Sequence, residues 1–280
     1  MSKKRSRNEV FATKQAANIK SSNVMKDDFN FEVPIELVPL PSGGVTYPVD
    51  NVLYGQKSVE IRAMTAREED ILTSKALIKK GTVISHLIKS CLTDKSIDVR
   101  NMLSGDRNAL MIALRITGYG QEYKVNIDCP LCSTRTQQAF DLAELPIKTL
   151  QIEPAEQGAN IFNFTLPITK LDVQFKFLTG KDEEEIMLTS SRKKKTGLAD
   201  NLITTRLTYS IVSVNGVTNR SKINGFIRSM PARDSLALRK YIDQHEPGIE
   251  MKAWMICDSC LEDSEVRLPL GAGFFWPNTE

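Results

Sequence analysis

Long apolar runs are missing from this chain of 280 residues. The best of them, starting at Ala109, is broken by Arg115 well short of the roughly 18 to 20 residues that a bilayer-crossing helix needs, so no membrane span is expected. Catalytic motifs are missing too: no G-x-S-x-G, G-x-G-x-x-G, H-E-x-x-H or P-loop pattern occurs. His86 and His245 are the only histidines, the first beside Leu87 in a helix pattern and the second in a last helical turn before Pro247. With nucleophile, base and cofactor fingerprint absent together, no enzymatic activity is expected. Met1-Ser2-Lys3-Lys4-Arg5-Ser6-Arg7 is followed by no apolar h-region, so the expected compartment is cytosolic and reducing.

The material that is present suits a folded protein. At 41% hydrophobic and 25% charged residues, the chain can build one large or two modest globular domains, which excludes wholesale disorder, collagen and coiled coil. The formal charge of +3 hides an asymmetry. Residues 1–26 hold Lys3, Lys4, Arg5, Arg7, Lys14, Lys20 and Lys26 against Glu9, about +6, leaving about −3 on the remainder. Such a tail buries too little to offset its ordering entropy. It reads either as an arm for nucleic acid or an acidic protein surface, through Lys3, Lys4, Arg5 and Arg7, or as a solvated tail that aids solubility.

Order is expected from about Phe29, where Phe31, Val33, Ile35 and Leu37 alternate with polar residues or proline in the period of a half-buried strand, with Pro34 marking an edge. Gly43-Gly44 supplies positive φ for a tight turn, and lacks the Lys-Ser/Thr ending and immediate helix of a phosphate loop.

An internal duplication organises the rest. Val59 to Leu72 is answered by Val173 to Met187: in each an alternating strand runs into a threonine (Thr65, Thr179) followed by acidic residues. Thr65 with Glu68 reads as a capping box, and Asp182 in the second copy as a weaker one. Each copy then shows a basic run read as a loop, Lys79-Lys80-Gly81-Thr82 and Arg192-Lys193-Lys194-Lys195-Thr196-Gly197. Amphipathic helices follow, on Val83, Ile84, Leu87, Ile88 and Cys91, and on Leu198, Leu202, Ile203, Leu207 and Ile211, the second ending at the turn signal Asn215-Gly216. A further helix is expected at Arg107–Ile116 and at about Pro231–Gln244.

Both copies end in an alternating segment, a CxxC and a second alternating segment: Cys129-Pro130-Leu131-Cys132 and Cys257-Asp258-Ser259-Cys260. Each CxxC is therefore the tip of a hairpin. One hairpin supplies two thiolates, whereas structural zinc takes four soft ligands in a tetrahedron, so Cys129, Cys132, Cys257 and Cys260 together form a zinc-ribbon-like site joining the copies. Lost metal binding and a redox dithiol are the other readings, the latter disfavoured because a thioredoxin-like CxxC lies between strand and helix. Four thiolates leave no open position for catalysis. Cys91, on an apolar helix face, reads as a small buried hydrophobe. Near the end, Phe274, Phe275 and Trp276 follow Gly-Ala-Gly and either close the core or anchor a partner, while Phe162 and Phe164 share one strand face as core.

The architecture expected is α+β and internally duplicated. Residues 1–33 form a basic flexible arm, 34–150 a first repeat and 151–280 a second, each with antiparallel strands, about three helices and a CxxC-tipped β-hairpin.

Leu40-Pro41-Ser42-Gly43-Gly44 through Tyr47-Pro48, Met64 to Leu72, the CxxC after Tyr123-Lys124-Val125, and Phe274-Phe275-Trp276-Pro277 resemble the baseplate hub protein family of T-even-like contractile-tailed bacteriophages. The resemblance covers most of the chain after about Pro34. It implies a non-enzymatic structural or assembly component of the central hub of the tail baseplate, located in the virion and assembled in the host cytoplasm. Its partners would be other tail or baseplate proteins, bound through edge strands, the basic arm, the Arg192, Lys193, Lys194, Lys195 run and the aromatic Phe274, Phe275, Trp276 segment. The alternative is a zinc-ribbon nucleic-acid-binding or transcription-related protein. Against it stand the net negative body and the lack of a strand interleaving basic and aromatic residues.

Overall fold

The computed structural model describes residues 25–26, 32–195, 201–270 and 274–275, and within them the chain is a mixture of helices and antiparallel strands. Strands β1 (Met25–Lys26) and β2 (Glu32–Val33) pair first. Of the strand expected from Phe29, residues 29–31 lie outside the described residues. Strand β3 (Ile35–Pro39) pairs with β4 (Ser58–Arg62), and the alternation buries Val59 and Ile61 while Glu60 faces water. The segment joining them is a chain of turns without strands. It depends on Gly44, at φ 75°, where a Cβ would lie 2.5 Å from the Leu53 carbonyl oxygen.

From β4 the chain enters α1 (Ala66–Thr73), then α2 (Lys75–Lys80), α3 (Val83–Cys91) and α4 (Ser104–Tyr119). The hairpin of β5 (Glu122–Asp128) and β6 (Arg135–Asp141) closes this part. Strand β7 (Ile147–Lys148) leads to the hairpin of β8 (Phe162–Thr165) and β9 (Asp172–Phe175), followed by α5 (Gly180–Lys195), α6 (Leu202–Ser210), β10 (Ile211–Val214), α7 (Arg220–Ser229) and α8 (Ala232–His245). Strand β11 (Gly248–Ile249) precedes a last hairpin, β12 (Lys252–Ile256) with β13 (Asp263–Arg267).

The same contacts recur in the two parts. At the entry to α1, the Thr65 N–H and hydroxyl donate to the Glu68 carboxylate (2.9 and 2.7 Å), which Arg62 of β4 also grips. At the entry to α5, the Thr179 N–H and hydroxyl donate to Asp182 (2.9 and 2.8 Å), which Lys176 grips. The Asp182 N–H also donates to the Thr179 hydroxyl (3.3 Å), making this capping box reciprocal. After α3, Leu92 bridges to Ile61, and after α6, Ile211 pairs with Phe175. Asp98 then caps a single 3-10 turn where Asn219 caps α7. Last, Asp106 and Asp234, each the third residue of its helix, accept hydrogen bonds from the loop joining the two strands of their hairpin.

Several details depart from the sequence reading. Each part carries four helices among the described residues, against about three expected. In the first, Ser74 at ψ 103° splits one helical run into α1 and α2. In the second, α7 was not anticipated, although Asn219 accepts the Ser221 and Lys222 N–H groups and Ile223 and Ile227 form its buried stripe. The basic runs are not loops. Lys79 and Lys80 end α2, and Arg192 to Lys195 end α5, where cations complement the negative end of the helix dipole. Leu198 lies outside the described residues, Leu202 and Ile203 are exposed, and Ile211 belongs to a strand, so only Leu207 of the expected stripe is buried within α6.

One continuous core runs through both parts, including Leu110, Leu114, Phe162, Phe175 and Leu238. Strand β7 pairs with β11 across the parts. The start of α4 locks to the start of α5 through Ser104 N–H to Leu178 O and Gly180 N–H to Met102 O, both 2.9 Å. Beneath this contact Glu184 of α5 accepts from Ser85 of α3 and from Arg100 (2.9 Å). The two CxxC hairpins are thus held side by side by a packed body.

Candidate metal centre

Both cysteine pairs lie where an antiparallel hairpin must reverse, and the two reversals have the same backbone. In the first, Cys129 N–H donates to Thr134 O and Ser133 N–H to Cys129 O, with Ser133 at φ 59°. In the second, Cys257 N–H donates to Glu262 O and Leu261 N–H to Cys257 O, with Leu261 at φ 60°. This turn points both sulfurs of a pair toward the same side of the hairpin tip. The left-handed residue follows the second cysteine in each case, although neither Ser133 nor Leu261 is a glycine.

The four sulfurs of Cys129, Cys132, Cys257 and Cys260 lie within 4.8 Å of one another. Cys129 Sγ is 3.9 Å from Cys260 Sγ, and Cys132 Sγ is 3.7 Å from Cys257 Sγ. These close contacts cross between hairpins. A tetrahedron with Zn–S bonds of about 2.3 Å has edges of about 3.8 Å, so the two crossing separations fit such a site, whereas a disulfide requires about 2.05 Å. Cys129 and Cys257 are buried, Cys132 is exposed and Cys260 is half-buried, so the cluster opens toward solvent on one side. Hydrogen bonds from the Thr134 hydroxyl and N–H pull the Cys132 thiol down to about 6, toward the thiolate a metal takes, while, against the pull of the Glu262 backbone, burial and the neighbouring sulfurs push the Cys260 thiol up to about 12. The donor set therefore suits a soft divalent ion. Bound there, zinc would supply a structural cross-link between sequence positions more than a hundred residues apart.

Weaker contacts surround the sulfurs. The Gln138 amide donates to Ile256 O (3.3 Å), and the Thr134 hydroxyl to the Ser259 hydroxyl (3.5 Å). Behind the hairpins, the Tyr123 hydroxyl donates to Pro269 O (2.8 Å). Leu131, Trp254, Ile256 and Leu261 stay exposed around the knuckles.

The other residues singled out from sequence do not join this cluster. Lys3, Lys4, Arg5, Arg7 and Trp276 lie outside the described residues, as does the side chain of Lys194. Arg192 and Lys195 are exposed on the last turn of α5, and Lys193 there donates to Thr205 (3.2 Å). Phe274 and Phe275 are 1% and 3% exposed. The Phe274 ring meets Tyr123 edge-on at 5.2 Å, and its carbonyl accepts from Arg115 (2.9 Å), so these two rings close the core. Cys91 is fully buried, and burial together with the nearby Glu68 charge pushes its thiol up to about 12, an inert group. Sequence reasoning missed Arg115, a buried cation whose three carbonyl acceptors, Phe274, Gly120 and Glu122, tie the chain end to the base of the first hairpin. Its only signal was a charge interrupting the apolar stretch after Ala109.

Compared with known proteins, the chain is matched over residues 45–276 by the family model described as T4 bacteriophage base plate protein. No curated protein and no solved structure matches it.

Proposed function

Because the chain belongs to the T4 bacteriophage base plate protein family, matched over residues 45–276, we propose that it is a structural or assembly component of a contractile phage tail baseplate, in the central hub. It acts by binding other tail or baseplate proteins and not by catalysis. Its place is the virion tail baseplate, reached by assembly in the host cytoplasm. The observation that carries this reading is the family match, which extends through both parts of the chain. No helix among the described residues is long and apolar enough to cross a membrane.

Within that role, the chain is a duplication: a first repeat at 34–150, a second at 151–280, and a basic arm at 1–33. Recurrence of the threonine-carboxylate junctions, the buried third-position aspartates and the CxxC turns supports it. A zinc ion held by Cys129, Cys132, Cys257 and Cys260 fastens the repeats to each other, as the mutual approach of the four sulfurs supports.

The test is assembly. Extracts of infected cells lacking this chain should accumulate incomplete baseplates, and the purified chain should restore complete ones, counted by electron microscopy. Labelled chain should mark the baseplate centre. Complete baseplates without the chain would overturn the role, and peripheral label would overturn the hub position.

A further inference from the structure

A second surface lies well apart in sequence from the cysteines. The outer face of the β3–β4 sheet, with α1 and α3 beside it, forms a groove of about 750 Å³. Its apolar lining includes Ile35, Ile71 and Leu92. Leu37, two residues along β3 on the face of Ile35, is 58% exposed. Its charged lining is mainly cationic, Arg62, Arg67, Lys89 and Lys95 against the carboxylate of Glu60 alone, with the His86 ring beside them.

Arg62 is paired with Glu68, and Lys89 and Lys95 feel the charges of Asp94 and Glu68 at longer range, but among the described residues Arg67, Lys89 and Lys95 have no carboxylate in ion-pair contact. Lys89 donates to the Ile97 carbonyl (2.7 Å) and to that of Lys95, while Lys95 donates to the carbonyls of Lys89 (3.0 Å) and Ser90 (2.8 Å). Both ammonium groups are therefore held in place with their charge intact. Burial, with the neighbouring Arg62 and Lys89 charges, pushes the Lys95 amine down against the opposing pull of Glu68. An ordered positive wall beside the half-buried Ile35 and Ile71 and the exposed Leu37 is complementary to a ligand carrying both carboxylates and apolar groups.

We propose that this groove binds an acidic peptide segment with interspersed apolar side chains, contributed by a neighbouring protein. A nucleic acid fits less well, since no Phe, Tyr or Trp lines the groove to stack on a base. The edge of β4 is already occupied, with Thr93 N–H donating to Glu60 O (3.2 Å) and Leu92 bridged to Ile61. Recognition is therefore by side chains and not by adding a strand there. The proposal rests on the protein-binding role above only in taking a protein as the partner, and it is independent of the metal and of the hub position.

The test is fluorescence anisotropy on the full-length chain. The probes are a labelled heptapeptide alternating Asp or Glu with Leu, the same peptide with Asn and Gln for the acids, and a labelled oligo-dT strand. The acidic peptide should bind, weaken as salt rises, and lose about tenfold or more in affinity with Arg67→Glu and with Lys95→Glu. Lys79→Glu, on α2 outside the groove, should leave binding unchanged. Lys95 also secures backbone carbonyls, so should Lys95→Glu fail to fold, the exposed Arg67 decides the matter. Failure of the acidic peptide to bind, equal binding of the neutral peptide, or full affinity in Arg67→Glu would overturn the proposal. Oligo-dT binding with the same Arg67 dependence, at higher affinity, would reassign the groove to nucleic acid and overturn it equally.

Discussion

At the entry to α1 a fully buried carboxylate, Glu68, is held by both terminal nitrogens of the Arg62 guanidinium, by Thr65 and by Ser90. At the entry to α5 the corresponding carboxylate, Asp182, meets the single ammonium of Lys176 and the reciprocal bonds of Thr179. The two junctions have the same residue spacing and the same strand-to-helix geometry, yet they differ in how much charge is taken out of water. The first buries an ion pair within a network that reaches α3, and the second leaves Lys176 26% exposed at the rim. An identical backbone task can thus be met by a deep fork or a shallow contact, and the two should fail differently.

Breaking the deep junction should have the largest effect. Glu68→Gln leaves the Arg62 charge poorly compensated and should cost about 3 kcal/mol in urea unfolding at pH 7. Asp182→Asn should cost about 1 kcal/mol, because water can still reach Lys176. Equal losses would mean that burial does not separate the junctions. Burial alone would raise the Glu68 carboxyl, but hydrogen bonds from Arg62, Ser90 and Thr65 outweigh it and hold the group well below the usual carboxylate range. Its contribution is therefore complete above the ordinary value of 4.5 and fades as pH falls toward the depressed value, so the penalty of Glu68→Gln should shrink in strong acid.

The paired aspartates sharpen the comparison through opposite slopes. Asp106 accepts from the Ser42 N–H, the Ser42 hydroxyl and the Tyr47 hydroxyl, and burial prevails over these bonds to raise its carboxyl. Asp234 accepts from the Ile168 and Thr169 N–H groups, which prevail over burial and lower it. Replacing either by Asn should cost on the order of 1 to 2 kcal/mol near neutrality. As pH falls through the carboxylate range, the penalty should grow for Asp106→Asn, whose protonated form is favoured by folding, and shrink for Asp234→Asn. Parallel pH profiles would show the two sites to be electrostatically alike.

The smallest effect is expected where the last α-helix of each part, α4 and α8, ends. The exit of α4 is capped by Gly120, that of α8 by Glu246, which burial pushes up to about 7 against the opposing pull of Arg206. A raised carboxyl stabilises fully below its ordinary 4.5 and loses that contribution as pH rises through about 7. Glu246→Gln should therefore stabilise the fold at pH 8 by no more than about 1 kcal/mol, seen as a higher Tm, and do little at pH 4.5. A drop in Tm at pH 8 would show that the charged form is favoured.

How much of this was legible depended on the reach of each signal. The hairpins at Cys129 and Cys257 were plain because alternation, a CxxC and renewed alternation are all local. The helix entries at Thr65 and Thr179 were plain for the same reason. Helix α7 was hidden by the polar residues around Ile223 and Ile227, and only Asn219 announced it. The lysine runs ending α2 and α5 looked like loops because a charged, apolar-poor stretch gives no periodic pattern, whether it is coiled or the last turn of a helix. The contacts that set the hairpins side by side were beyond sequence reading altogether. Strands β7 and β11 are two residues each, and the Arg115 and Glu184 networks join residues far apart in the chain.

The central claim is that the two parts share one metal through their cysteine pairs. Elemental analysis of the purified full-length chain, combined with its mass in solution, tests it most directly. The account predicts one zinc per monomeric chain, lost in Cys129→Ser and in Cys257→Ser alike. A metal-free wild type, or either variant retaining its full zinc, would contradict it.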